Sequence, residues 1–146
     1  MTEQSTLDGN RLPTHGFIDH PSEVVLHVRA RTFAELAEEA VIALGSLMEP
    51  GMEVTGESCR SEFPVEGIDR GAILVNLLNE VVSRSETEHF IPTNAAARLT
   101  NASRLEVGIT AKIVSESPSL VKAATFHNLA VVDRNGVVEA FVTLDI

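Results

Sequence analysis

Ala130-Val131-Val132-Asp133-Arg134-Asn135-Gly136-Val137-Val138-Glu139-Ala140-Phe141 joins two strand-like runs at an Asn-Gly pair. Asn-Gly accepts the positive φ angles of a tight hairpin turn, so Leu120 to Ile146 reads as one antiparallel unit with Asp133 to Gly136 as its turn. The turn sets the register. A two-residue loop at Asn135-Gly136 puts Ile146 opposite Thr125, and a four-residue loop puts it opposite Ala123. Strands rise about 3.3 Å per residue, so Lys122 stands one to three residues beyond Ile146 on the neighbouring strand, within side-chain reach of Asp145 or the terminal carboxylate. The last two residues place the Asp145 carboxylate beside the Ile146 α-carboxylate, a pair of hard oxygen donors that invites a cation.

Working outward, Gly16 to Asp19 reads as a short strand and His20-Pro21-Ser22-Glu23 as a turn, because proline disfavours a helical residue before it. In Val24 to Ala30, Val24, Leu26, Val28 and Ala30 alternate with Val25, His27 and Arg29, the pattern of a half-buried strand. Thr32-Phe33-Ala34-Glu35 is a capping box. It opens a helix whose apolar face is Phe33, Leu36, Ala37, Ala40, Val41, Leu44, Leu47 and Met48, ending at Pro50-Gly51. Val54 to Val65 reads as a strand region. A second helix runs from Ile68 or Asp69 to about Ser85 with Ile73, Leu74, Leu77, Leu78, Val81 and Val82 inward. Three short strands follow, at His89 to Ile91, Ala95 to Thr100 and Leu105 to Val114, the last two joined through Asn101-Ala102-Ser103. The sum is an α+β fold: a single-domain two-layer sandwich, a mostly antiparallel sheet packed with two main helices. Residues 1–14 are polar and read as a flexible tail, leaving residues 15–146 as the domain.

Composition narrows the function. The 146 residues are 44% hydrophobic, which is enough for a globular core. No apolar run approaches the ~18–20 residues that span a bilayer, and residues 1–14 lack the apolar stretch of a signal peptide. One cysteine, Cys59, excludes an internal disulfide and reads as an idle thiol; a cytoplasmic location fits. The formal net charge is −10, with only two lysines, Lys112 and Lys122. Such a surface repels phosphate backbones and suits cations or a basic protein partner. The chain has no tyrosine or tryptophan, so no stacking platform for single-stranded RNA is legible. Asp19, His20 and Ser22 are too close in sequence to form a triad, and neither a phosphate loop nor a Cys-His zinc pattern is present. His127 and Asn128 read as mid-strand hydrogen-bonding residues.

Several segments together resemble the archease family. Phe17-Ile18-Asp19-His20-Pro21-Ser22-Glu23 is similar to its aromatic or apolar pair leading into His-Thr-Ala-Asp. Val121-Lys122-Ala123-Ala124-Thr125-Phe126-His127-Asn128-Leu129 is similar to Val-Lys-Ala-Val-Thr-Tyr-His-Asn-Leu, and Leu144-Asp145-Ile146 to the terminal Asp-Ile. Leu74-Val75-Asn76-Leu77-Leu78-Asn79-Glu80 resembles Leu-Val-Asp-Trp-Leu-Asn-Glu, and Phe90-Ile91-Pro92 also recurs. The likeness is colinear from Gly16 to Ile146. It implies a non-catalytic cofactor protein that promotes guanylylation and repeated turnover of a GTP-dependent tRNA-splicing RNA ligase. It also implies a divalent metal site, calcium by the family's pattern, with Glu23, Asp145 and Ile146 as ligands, Lys122 as the functional lysine, and Asp19 and His20 at the partner contact. Direct nucleic-acid and membrane binding are not implied.

This chain departs from the pattern in places. Glu23 stands where the family has Asp, Pro21-Ser22 replace Thr-Ala, Asn76-Leu77 replace Asp-Trp, and the segment Ser115 to Leu120 lacks the family's charged insertion. Bottom-up, Glu23 shares a strand face with His27 and Arg29, and Asp145 with Glu139 and Thr143. The competing reading is of two unrelated surface carboxylates, with Lys122 in a salt bridge. Two other functions stay open. One is a chaperone-like or structural module without the ligase role, separated by a pull-down for an RNA ligase. The other is a metal-dependent hydrolase, separated by turnover of generic phosphoesters.

Overall fold

A computed structural model of the chain describes residues 12–48, 53–118 and 120–146. The elements in order are β1 (Thr14–His20), β2 (Glu23–Ala30), α1 (Phe33–Met48), β3 (Val54–Glu66), α2 (Arg70–Glu88), β4 (Phe90–Asn101), β5 (Arg104–Val114), β6 (Ala123–Arg134) and β7 (Val137–Asp145). Residues 1–11 of the expected tail, and the expected stop of α1 at Pro50-Gly51, lie outside the described residues; Thr14 already belongs to β1.

The α+β sandwich holds, with one correction. The strands form two sheets, β1-β2-β7-β6 and β3-β5-β4, rather than one larger sheet. All strand pairs are antiparallel. The division follows from β2 pairing with β7, Glu23 opposite Asp145 through Ala30 opposite Val138. That non-local ladder joins the first hairpin to the last and leaves β3, β4 and β5 to pair among themselves.

Local signals explain most boundaries. The Glu35 N–H donates to Thr32 Oγ1 at 3.1 Å, as the capping box requires, but Glu35 Oε1 accepts from the Arg31 N–H at 3.3 Å rather than from Thr32. Asp69 caps α2, its Oδ1 accepting from the Ala72 N–H at 2.8 Å. α2 runs one turn past the expected Ser85 and ends where His89, at φ 56°, donates its N–H to the Ser85 carbonyl. The two short strands expected before Asn101 are one, β4. Its register slips between Pro92 and Asn94, so the proline without an N–H sits at an irregularity instead of breaking the strand.

Both helices and both sheets share one core. It includes Leu26 and Val28 of β2, Leu36 and Leu44 of α1, Leu74 and Leu78 of α2, Leu105 and Ile109 of β5, and Val142 and Leu144 of β7. The apolar face expected for α1 is buried apart from Leu47, which is half-buried. Ala43 and Gly45 are buried as well, because α1 packs against β4 on one side and β2 on another.

Candidate functional site at the strand end

The hairpin expectation is right about the loop and wrong about the far end. Arg134 faces Val137 across the two-residue turn, with Asn135 at φ 56° and Gly136 at φ 75°. Ladder pairing continues to Ala130 opposite Phe141. Then four residues, Phe126 to Leu129, stand against the single residue Val142, and pairing resumes at Thr125 opposite Thr143 and Ala123 opposite Asp145. A bulge adds residues to one strand only, so β6 is drawn back toward its start. Neither expected partner of Ile146 is therefore met, and Lys122 comes closer to the C-terminal end than either register implied. Its N–H donates to the Asp145 carbonyl at 2.8 Å.

A row of residues lies across the end of the four-stranded sheet, and the bulge sets which residue of β6 joins it. His20 faces Glu23, Glu23 faces Asp145, and Asp145 faces Ala123. Directly opposite residues of an antiparallel pair share one face with Cβ atoms about 5 Å apart, and like charges so placed repel. Glu23 is half-buried and Asp145 exposed. Ile146 is held at the same end by its N–H to the Ser22 carbonyl at 3.4 Å. Lys122 is exposed, and its ammonium makes no ion pair among the described residues, so the salt bridge of the competing reading is not formed. Asp19 is exposed but faces Val24, on alternate pleats from the Glu23 row, so the strand end does not bring it into that row. Among the described residues no group of three or more His, Cys, Asp or Glu side chains is placed to hold a metal. Glu23 and Asp145 supply two carboxylates to this end.

α2 supports this end. Asn79 donates from Nδ2 to the Ala124 carbonyl at 3.0 Å and accepts the Ala124 N–H on Oδ1 at 2.7 Å. Its amide thus completes β6 at its outer edge as a further strand would. Asn76, nearby on α2, donates to the Glu66 carbonyl at 2.8 Å, while Leu77 is fully buried. Asn79→Leu keeps the branched shape of the side chain but strands both Ala124 main-chain groups, and Ala124 is buried. Each unsatisfied group costs about 1–3 kcal/mol. A loss of about 2–3 kcal/mol is expected, read as a fall in Tm of about 4–10 °C by circular dichroism. A Tm within 1 °C of the parent would show that the amide does not hold this edge.

Sequence reasoning missed a second polar group on the same sheet. The alternation of β2 puts His27 on the polar face, but it is buried. It stacks on Phe141 with ring centroids 4.2 Å apart, and Nε2 lies 2.7 Å from Glu139 Oε2. Arg29 approaches the same carboxylate at 3.8 Å. The β2–β7 register that faces His27 with Phe141 and Arg29 with Glu139 has no local sequence signal. His127 and Asn128 do hydrogen-bond, Asn128 Nδ2 to His127 Nε2 at 3.2 Å, but within the bulge rather than in regular strand. Cys59 is half-buried; burial raises its thiol pKa and Glu88 adds to the rise, which keeps the thiol protonated and slow to react. No helix among the described residues is long and apolar enough to cross a membrane.

These features define a small α+β protein whose distinctive surface is a strand end carrying paired carboxylates, Ile146 and a lysine with no ion pair among the described residues. The sequence matches the archease protein family (MTH1598/TM1083) over residues 15–146, and the chain belongs to that family. No curated protein matches it. Among solved structures it is similar to protein 1598 of Methanobacterium thermoautotrophicum, at 25% identity and TM-score 0.62, over 89% of this chain and 96% of that one. It shares its fold with a Thermotoga maritima protein (TM1083) described as an archease and possible chaperone, at 20% identity and TM-score 0.63, over 95% of this chain and 99% of that one.

Proposed function

We propose that this chain is a non-catalytic accessory protein of a GTP-dependent RNA ligase, promoting its guanylylation and repeated turnover, and that Glu23, Asp145 and the Ile146 carboxylate hold a divalent cation. The observation that carries the reading is the direct pairing of Glu23 with Asp145 across β2 and β7. Two carboxylates in that relation repel unless a cation lies between them. Their donors are hard oxygens, which suit calcium or magnesium rather than zinc or copper. The longer Glu23 side chain is compatible with calcium, which accepts oxygens at 2.3–2.6 Å in flexible geometry. When bound, the ion would supply positive charge that ties the Pro21-Ser22 turn to the end of β7. A protein partner is favoured over RNA by the net charge of −10, which can approach the basic cleft of an RNA-processing enzyme. The single unpaired cysteine accords with work in the cytoplasm.

The direct test is transfer of GMP onto an RNA ligase with and without this protein. Faster guanylylation supports the reading, and its absence would favour a chaperone-like module, for which the description of the Thermotoga fold relative speaks. The cation is tested separately. Calcium that binds only the folded chain stabilises it by about 2.7 kcal/mol at a hundredfold excess over Kd. A rise in Tm of several degrees in millimolar calcium is expected for the parent. It should be largely lost in Glu23→Gln and in a chain carrying two extra residues after Ile146. Unchanged calorimetric affinity in the extended chain would remove the terminal carboxylate from the site.

A further inference from the structure

The chain has six phenylalanines and no tyrosine or tryptophan. Five of the six are buried or half-buried, and Phe126 is 60% exposed. One exposed apolar residue is ordinary; the way this one is held is not. Phe126 opens the four-residue bulge of β6, in which Asn128 sits at φ 53°, a left-handed conformation uncommon for a residue other than glycine. The bulge is tied down on both sides. The Thr143 hydroxyl donates to the His127 carbonyl at 3.0 Å, and the His127 N–H donates to Thr125 Oγ1 at 3.3 Å. Leu129, at the other end of the bulge, packs against the core. The result is a hydrogen-bonded bulge that turns Leu129 inward and leaves Phe126 outward, as bulges do when they re-aim a side chain.

The surroundings complete a pattern. Leu120, 52% exposed, lies before Lys122 as Phe126 lies after it. Phe126 lies three positions along β6 from Ala123, which faces Asp145, so its backbone stands about 10 Å along the strand from the carboxylate row. Asp19 and Asp145 are exposed and Glu23 half-buried at that same end.

We infer that Phe126 is the apolar anchor of the docking surface of this strand end, and that its occupant is a protein presenting an apolar pocket rimmed by arginine or lysine. This rests on the accessory-protein reading above and names its contact surface. Aromatic side chains seated in pockets dominate interface energetics, and the surrounding charges set orientation and on-rate. An acidic rim selects a basic protein surface and rejects phosphate backbones.

The test is calorimetric binding of the full chain to the RNA ligase in low and in raised salt, with the parent, Phe126→Ala and Phe126→Leu. Phe126 is exposed, so both variants should melt with the parent. Phe126→Ala is expected to bind at least tenfold more weakly at both salt concentrations, Phe126→Leu to recover part of the affinity, and the parent to weaken as salt screens the rim. Equal binding by parent and Phe126→Ala would overturn the anchor while leaving the accessory reading intact. No binding by the parent would overturn both. Salt-independent affinity would overturn the basic rim. Binding of the parent to single-stranded RNA alone, lost in Phe126→Ala, would overturn the choice of a protein partner.

Discussion

Lys122→Ala is expected to fold and melt like the parent chain yet to lose most of its stimulation of ligase guanylylation. The folding half follows from the structure. The Lys122 side chain is exposed and makes no ion pair among the described residues, and its contribution to the ladder is a main-chain N–H donated to the Asp145 carbonyl, which alanine retains. Surface substitutions of this kind stay within about 0.5 kcal/mol. The functional half follows from the proposed role. An exposed ammonium at this strand end, with no ion pair among the described residues, is available to a partner, and a hydrogen bond to a charged group contributes about 1.5–3 kcal/mol. Losing it corresponds to about a ten- to hundredfold reduction in stimulation. Labelled GMP transfer to the ligase at limiting accessory protein measures this, with a melting curve as the folding control. A folded Lys122→Ala that stimulates fully would exclude the lysine from function. A variant that melts well below the parent would instead assign it a structural role.

Gly45→Ala is expected to be the most damaging alanine substitution among the described glycines. By helix propensity the change is favourable, since alanine exceeds glycine by about 1 kcal/mol in a helix interior. The tertiary contact has the opposite sign. Gly45 is buried on α1 where the helix lies against β4, and an added Cβ would overlap the Pro92 carbonyl oxygen and crowd the Pro92 ring. The obstacle is main chain, so no rotamer change removes it, and α1 or β4 must shift within a shared core. Overpacking costs about 1–3 kcal/mol and occasionally more. Backbone overlap belongs at the upper end, so the contact exceeds the propensity gain and a net loss of at least about 2 kcal/mol is expected. Calorimetry should then record a fall in Tm of about 4–8 °C or more, or no cooperative transition at all. A rise in Tm would mean that α1 does not approach β4 this closely.

Much of the fold is legible locally. The Thr32 and Asp69 caps, the 3.6-residue spacing of Phe33 to Met48 and Ile73 to Val82, and the Asn135-Gly136 turn are each short-range physical signals, and each reappears in the structure. The candidate site residues are legible in another way. Glu23, Lys122, Asp145 and Ile146 stand out through resemblance and through the scarcity of lysine, and the structure brings these four to one end of the four-stranded sheet. Asp19, expected with them, lies off the Glu23 row, because one residue along a strand reverses the face.

What stayed hidden was everything set by pairing between distant segments. The division into two sheets depends on β2 choosing β7, a partner more than a hundred residues away in sequence, and no residue of either strand encodes that choice alone. The burial of His27 against Phe141 and Glu139 follows from the same ladder. The β6 bulge escaped notice because Thr125 to Ala130 alternates poorly either way, and only its contacts with Thr143 and the packing of Leu129 settle where the extra residues go. Caps, turns and amphipathic faces are properties of a few neighbouring residues and can be read in order along the chain. Register, sheet membership and the position of Lys122 beside Asp145 belong to the packed molecule, where one buried core must satisfy both sheets and both helices together.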